Sequence, residues 1–175
     1  FFISNIKDTL ESINKSGDFE LLKKIAKQAS NKQSCDSKKI QSLFDKILNK
    51  LDLACHGLSS NWSQISHINS VCLDSSWEEP YSEALAELTD FYSMFNQDQG
   101  HFEIYKTFNI VSDYLSFEQQ RVVNLAMDDF KLSGVTLSAS DRKIYKKLVK
   151  DLAILSKDFE ENITKMSDNW FYKVE

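Results

Sequence analysis

The sequence predicts an all-α fold, a bundle-like domain of seven or eight helices closed by one long C-terminal helix. Three observations carry this. Apolar residues recur at three- and four-residue intervals almost from end to end. Four Gly and one Pro in 175 residues leave little room for the tight turns of a β-sandwich. No stretch alternates apolar and polar residues as a half-buried strand does.

Residues 2–15 form a first helix with Phe2, Ile6, Leu10 and Ile13 on one face, broken at Gly17. Asp18 is placed to cap a second helix to about Ser30, with Leu21, Leu22, Ile25 and Ala29 inward, and 31–34 is a polar loop. Asp36 caps a third helix carrying Ile40, Phe44, Ile47, Leu48, Leu51 and Cys55, and Gly57 is predicted to end it in a left-handed conformation. A shorter helix over 60–73 uses Trp62, Ile65, Ile68, Val71 and Cys72. The next starts within 76–80, because proline is tolerated in a first turn, where its missing N–H had no partner. Behind Pro80, the residues Tyr81, Leu85, Leu88, Tyr92 and Phe95 form a stripe. The pattern breaks at 98–100 and resumes through Phe102, Tyr105 and Phe108.

Ser116 and Gln119 have the spacing of a capping box. The helix they open buries Val123, Ala126, Met127 and Phe130, and Gly134 stops it. Ser138 and Asp141 repeat the device for a last helix to about Ser167. Its apolar positions are Ile144, Leu148, Leu152, Leu155, Phe159, Ile163 and Met166, at spacings of 4, 4, 3, 4, 4 and 3. That 11-residue period is closer to the 3.6 of a straight helix than to the 3.5 of a left-handed coiled coil. At 1.5 Å per residue the helix is roughly 40 Å long. It is expected to be a spine against which several shorter helices pack.

Apolar residues make up 42% of the chain and charged residues 27%, ordinary for one globular domain over 1–175. No apolar run approaches the roughly 18 residues that span a bilayer. The opening FFISNIKDTL carries charge and has no cleavage-type site, so it does not read as a signal peptide. A net charge of −5 argues against nucleic acid as the main partner. The two basic runs, Lys23, Lys24, Lys27 and Arg142, Lys143, Lys146, Lys147, Lys150, sit at helical spacing and read as solvated faces. Cys35, Cys55 and Cys72 form no C-x-x-C pair, and the odd count suits reduced thiols in the cytoplasm.

Candidate chemistry is sparse. A zinc-peptidase helix needs two histidines one turn apart, with a glutamate beside the first. His56, His67 and His101 occur in HGLSS, HINSV and HFEIY, none with a histidine four residues on, so HExxH is absent. The types in Cys55, His56, His67 and Cys72 suit a metal, but their spacings match no zinc module. The carboxylate pairs Glu78–Glu79, Asp128–Asp129 and Glu160–Glu161 are helix neighbours that point about 100° apart and do not share a proton. No residue is assigned a catalytic or metal-binding role. The oddest local feature is SQISHINSV, where Ser66, His67, Asn69 and Ser70 cluster beside Ile65, Ile68 and Val71. It reads as a polar helix face serving loop carbonyls, or as a polar patch facing a groove. The twelve Phe, six Tyr and three Trp fall mostly on the predicted inner stripes and read as core.

Two long stretches carry a resemblance. One is SFEQQRVVNLAMDDFKLSGVTLSASDRKIYKKLVKDLAILSKDFEENITKMSDNW over 116–170; the other is SSNWSQISHINSVCLDSSWEEPYSEALAELTDFYSMFNQDQGHFEIYKTF. The specific pieces are Ser66-His67-Ile68-Asn69-Ser70-Val71, Asp129-Phe130-Lys131-Leu132-Ser133-Gly134-Val135, and Phe159 with Asn162. Over roughly residues 50–170 the chain is similar to the N-terminal helical region of the thimet oligopeptidase / oligopeptidase A family of zinc peptidases. Asp128 departs from the family, where arginine is usual, and the first 45 residues match only in being helical.

The resemblance implies a two-lobed helical enzyme with a deep, narrow channel that admits short peptides. The zinc and the HExxH glutamate that activate water lie in the later catalytic lobe. This chain would then be an inactive N-terminal lobe that forms a channel wall and holds no cofactor. Its partners would be the catalytic lobe of the same polypeptide and short peptides, with no nucleic acid and no membrane. Whether His67 or Asn69 touches substrate stays open. The ending FYKVE directly after the long helix looks like a cut through a larger protein, and the separated lobe should expose an apolar surface and self-associate weakly. The alternative is a stand-alone helical protein-interaction module. A small helical enzyme using a Cys or His site ranks last, because no ordered triad is present.

Overall fold

The computed structural model describes residues 2–71, 75–168 and 170–171. The helices are α1 (Phe2–Asn14), α2 (Gly17–Ser30), α3 (Ser37–Val71), α4 (Glu78–Phe95), α5 (Gln99–Ile110), α6 (Phe117–Leu132) and α7 (Ala139–Asp168), with 3₁₀ turns at Ser75–Trp77 and Ser112–Tyr114. The fold is all-α, as the periodicity predicts, and no strand occurs among the described residues.

The apolar faces of α1, α2, α5 and the first half of α3 meet in one core. Leu10, Ile13, Phe19, Leu22, Ile40, Phe44, Ile47, Ile104 and Phe108 lie in it, and α6 adds Val123 against α5. Phe44 and Phe108 meet edge to face at 5.2 Å. A smaller cluster of Ile6, Ala54 and Phe91 ties α1 and α3 to α4. Phe91 and Ile104 are buried although the sequence stripes omit both.

Local chemistry sets the helix ends. The Ser116–Gln119 box is present in full: the Ser116 hydroxyl accepts from Gln119 N–H at 3.3 Å, and Ser116 N–H donates to Gln119 Oε1 at 3.2 Å. Asp36 receives Lys39 N–H at 3.3 Å at the start of α3. Ser16, not Asp18, caps α2, its hydroxyl accepting from Phe19 N–H at 3.2 Å. Asp18 falls inside the first turn, where a carboxylate favours the helix dipole, and it pairs with Lys46 at 2.8 Å.

Two glycines behave differently. Gly134 adopts φ +76° after α6; Val135 N–H donates to Phe130 C=O and Gly134 N–H to Lys131 C=O, both at 3.1 Å, a Schellman end. A Cβ there would also lie 2.4 Å from Leu137 Cδ1. Gly134→Ala is therefore expected to destabilise the chain by about 1–2 kcal/mol, read as a lower urea midpoint at constant m-value.

Gly57 does not end a helix: α3 runs unbroken for 35 residues, so the predicted boundary near 57 is corrected. Its φ is not positive, and a Cβ at Gly57 would sit 2.8 Å from Phe2 Cε1. Glycine here lets the α1 ring lie against the helix, a role that sequence spacing does not distinguish from a stop. Cys72, read as the end of the separate helix, lies outside the described residues.

The reading of α7 as a spine is also corrected. None of its described side chains is buried, and it packs chiefly along α4. All seven stripe residues are 50–74% exposed. Periodicity reveals that a helix has an apolar face but not what covers it.

Candidate functional site

The α4–α7 seam builds one depression. The two helices run antiparallel: Lys146 and Lys150, in the N-terminal half of α7, reach the carboxylate of Asp90, late in α4, at 3.3 and 3.6 Å, while Lys157 further along α7 feels the charge of Glu78 at the start of α4. Slight burial works to raise the Asp90 pKa, but the hydrogen bond and charge of Lys146, with those of Lys150, outweigh it and hold the group below its usual range. The second basic run is thus solvated in part, with two of its lysines pinning α7 to α4.

Between the helices lies a groove of about 410 Å³. Leu88, Val149, Leu152 and Ala153 line it with apolar surface, and Thr89, Tyr92, Ser93, Asn96, Ser133, Tyr145 and Ser156 add hydroxyls and an amide. Such a lining can seat an apolar side chain and hydrogen-bond a neighbouring amide. It holds no nucleophile–base pair and no carboxylate pair.

A smaller cavity of about 180 Å³ opens beside His101, lined by Asn96, Tyr105, Ala126, Asp129 and Phe130. His101 is 8% exposed and ringed by Phe95 at 4.2 Å, Phe130 at 4.9 Å and Tyr105 at 5.4 Å. Its Nδ1 lies 3.2 Å from the Phe95 carbonyl oxygen. That oxygen can only accept, so Nδ1 carries the proton. Burial pushes the His101 pKa below its ordinary value of 6.5, against smaller opposing effects of the Phe95 carbonyl and Asp98. Burial also pushes the Tyr105 phenol up to about 12.

Both groups are neutral near pH 7, as a buried aromatic cluster requires. The unfolded chain protonates at His101 first as pH falls through 6.5, so folding stability should drop below that value and level off once the folded pKa is passed. In His101→Gln, which keeps a donor for Phe95, the thermal midpoint between pH 7 and pH 5.5 should be flatter. An unchanged slope would remove His101 as its source.

The residues singled out in the sequence do not converge. SQISHINSV lies on the distal half of α3, with His67 and Ser70 exposed and Ser66 and Asn69 half-buried. The Ser70 hydroxyl donates to the His67 carbonyl at 2.7 Å, so it serves its own helix. None of the four lines the groove or the His101 cavity. Cys55 is half-buried, and burial, with Asp52, raises its thiol pKa, which suits an inert small hydrophobe. His56 points outward, and His67 lies eleven residues along the same helix, roughly 16 Å away.

Among the described residues no three His, Cys, Asp or Glu side chains gather to hold a metal. Glu78 and Glu79 occupy the first turn of α4, Asp128 pairs with Lys131 at 3.1 Å, and Glu161 takes Lys157 at 2.5 Å. Asp90 and the groove were not legible in the sequence, since they depend on which helices become neighbours. His101 could have been found: it shares a helical face with Tyr105 and Phe108.

Comparison with known proteins places these features. Residues 20–143 match the sequence profile described as "Neurolysin/Thimet oligopeptidase, N-terminal domain". Oligopeptidase A of Haemophilus influenzae is 26% identical over 115 residues, covering 65% of this chain and 17% of that protein. Oligopeptidase A of Escherichia coli is 26% identical over 111 residues, covering 62% and 16%. The probable cytosolic oligopeptidase A of Arabidopsis thaliana is 25% identical over 128 residues, covering 72% and 18%. The chain therefore spans under a fifth of the length of the curated relatives it matches. No solved structure gives a significant match. With more than half of its residues inside that profile, the chain belongs to the neurolysin/thimet oligopeptidase family, of which it carries the N-terminal domain.

Proposed function

We propose that this chain is the N-terminal, channel-wall lobe of a zinc-dependent oligopeptidase that hydrolyses short peptides, and that it is not catalytic by itself. The observation that carries this is the family match over residues 20–143. The α4–α7 groove supports it: an apolar lining with interspersed hydroxyls and one amide suits a wall that contacts peptides without reacting with them. Among the described residues no His, Cys, Asp or Glu cluster fits zinc. Zinc chemistry would be supplied by the remainder of the parent polypeptide, which is the partner of this lobe. A cytoplasmic site of action fits the name of the Arabidopsis relative, and no described helix is long and apolar enough to cross a membrane.

The second reading, a helical protein-interaction module, is favoured by one observation, the bare apolar face of α7. A short internally quenched peptide separates the two. The 175-residue chain with added Zn²⁺ is expected to leave it intact, and the polypeptide of the complete reading frame to cleave it until a zinc chelator is added. Cleavage by the 175-residue chain would refute its inactivity. A complete polypeptide that cleaves no peptide would refute the oligopeptidase reading and leave the interaction module.

A further inference from the structure

We infer that the apolar stripe of α7 is the lobe–lobe interface of the parent protein, and that its occupant is a straight amphipathic helix from the catalytic lobe. This rests on the oligopeptidase reading. The stripe from Ile144 to Met166 runs for roughly 33 Å along the helix, and its central pair, Leu155 and Phe159, is 65% and 66% exposed. A continuous row of this kind marks a contact surface rather than a set of single exposed residues. The face that α7 turns to α4 is centred on Tyr145, Val149 and Ala153, roughly a third of a turn away, and Leu152 lies at the border, lining the α4–α7 groove as well. Helix α7 is therefore two-sided, with one face on α4 and the stripe beyond Leu152 bare.

Two observations point to the remainder of the parent as the occupant. The N-terminal-domain profile ends at residue 143, one position before Ile144 opens the stripe. The stripe thus belongs to the first segment beyond that domain. The matched region also covers only 16–18% of the relatives, so most of such a protein lies outside it and can supply the cover.

A second copy of this chain fits poorly. One edge of the stripe carries Lys147, Asp151, Asp158 and Lys165 in that order. In an antiparallel pair the same edges face each other. The register that sets Leu152 on Phe159 and Leu148 on Ile163 also sets Lys147 beside Lys165 and Asp151 beside Asp158. Both are like-charge contacts. The common left-handed parallel coiled coil needs a 3.5-residue period, and this stripe has an 11-residue period instead. The complementary surface is an apolar helix whose edge runs acid, base, base, acid.

Met166 is 74% exposed and reports on this surface without mutation. Its rate of oxidation by peroxide would be measured by mass spectrometry in the 175-residue chain, at a concentration where it sediments as a monomer, and in the full-length polypeptide. Half-buried Met127 serves as internal reference. The rate at Met166 is expected to fall about tenfold or more in the full-length protein, because thioether oxidation follows exposure. Equal rates would overturn the inference, as would a stable dimer of the 175-residue chain that already protects Met166. Peptide cleavage with Met166 unprotected would refute the interface and keep the enzyme. Protection without cleavage would refute the enzyme and keep the interface with the rest of the polypeptide.

Discussion

Phe108→Ala is expected to destabilise the chain by about 3–5 kcal/mol, a large share of the roughly 5–15 kcal/mol of a typical domain. Phe108 is fully buried on α5, which packs against α2, and its ring is edge-on to Phe44 of α3 at 5.2 Å. Truncation removes the transfer free energy of the ring and leaves a void among Ile40, Ile104 and Val111, all fully buried. Urea denaturation followed by circular dichroism reads the effect as a fall in midpoint. A loss below about 1 kcal/mol would mean that α5 is not seated in the core as described.

The opposite result is expected for Leu155→Glu combined with Phe159→Glu. Both side chains are about two-thirds exposed, so each charge should change the stability of the 175-residue chain by no more than about 0.5 kcal/mol. The dye binding and weak self-association expected of the exposed stripe should fall by roughly half or more, because its centre would carry two carboxylates. Sedimentation velocity and dye fluorescence measure this directly. A stability loss as large as that of Phe108→Ala would show that the stripe is covered within the chain itself. The pair of experiments separates the apolar residues that build this fold from those that await another surface.

That distinction is where the sequence stops being legible. Local features were readable because their physics is local. The Ser116–Gln119 box, the Asp36 cap and the helix stop at Gly134 all depend on residues within a few positions. Gly57 was misread because its purpose is non-local: it admits Phe2 from another helix. Asp18 was read as the cap because it follows the break at Gly17, whereas the backbone puts the helix start one residue before that glycine, at Ser16. Phe91 and Ile104 were missed because stripes were traced on one row of each helix, whereas the core takes two adjoining rows. The groove depends on the antiparallel placement of α4 and α7, which the Asp90 ion pairs bridge and no spacing announces. The family resemblance was legible through SHINSV and DFKLSGV, of which only the second reaches the His101 cavity, through Asp129 and Phe130.

The most direct test of the account is the coding sequence downstream of Glu175. A frame that continues for several hundred residues and encodes an HExxH helix, with a further glutamate beyond it, is the predicted result. It would make this chain the N-terminal lobe of a zinc oligopeptidase. A stop codon directly after Glu175 would contradict that claim and leave a helical module whose bare α7 face must be covered by a separate protein.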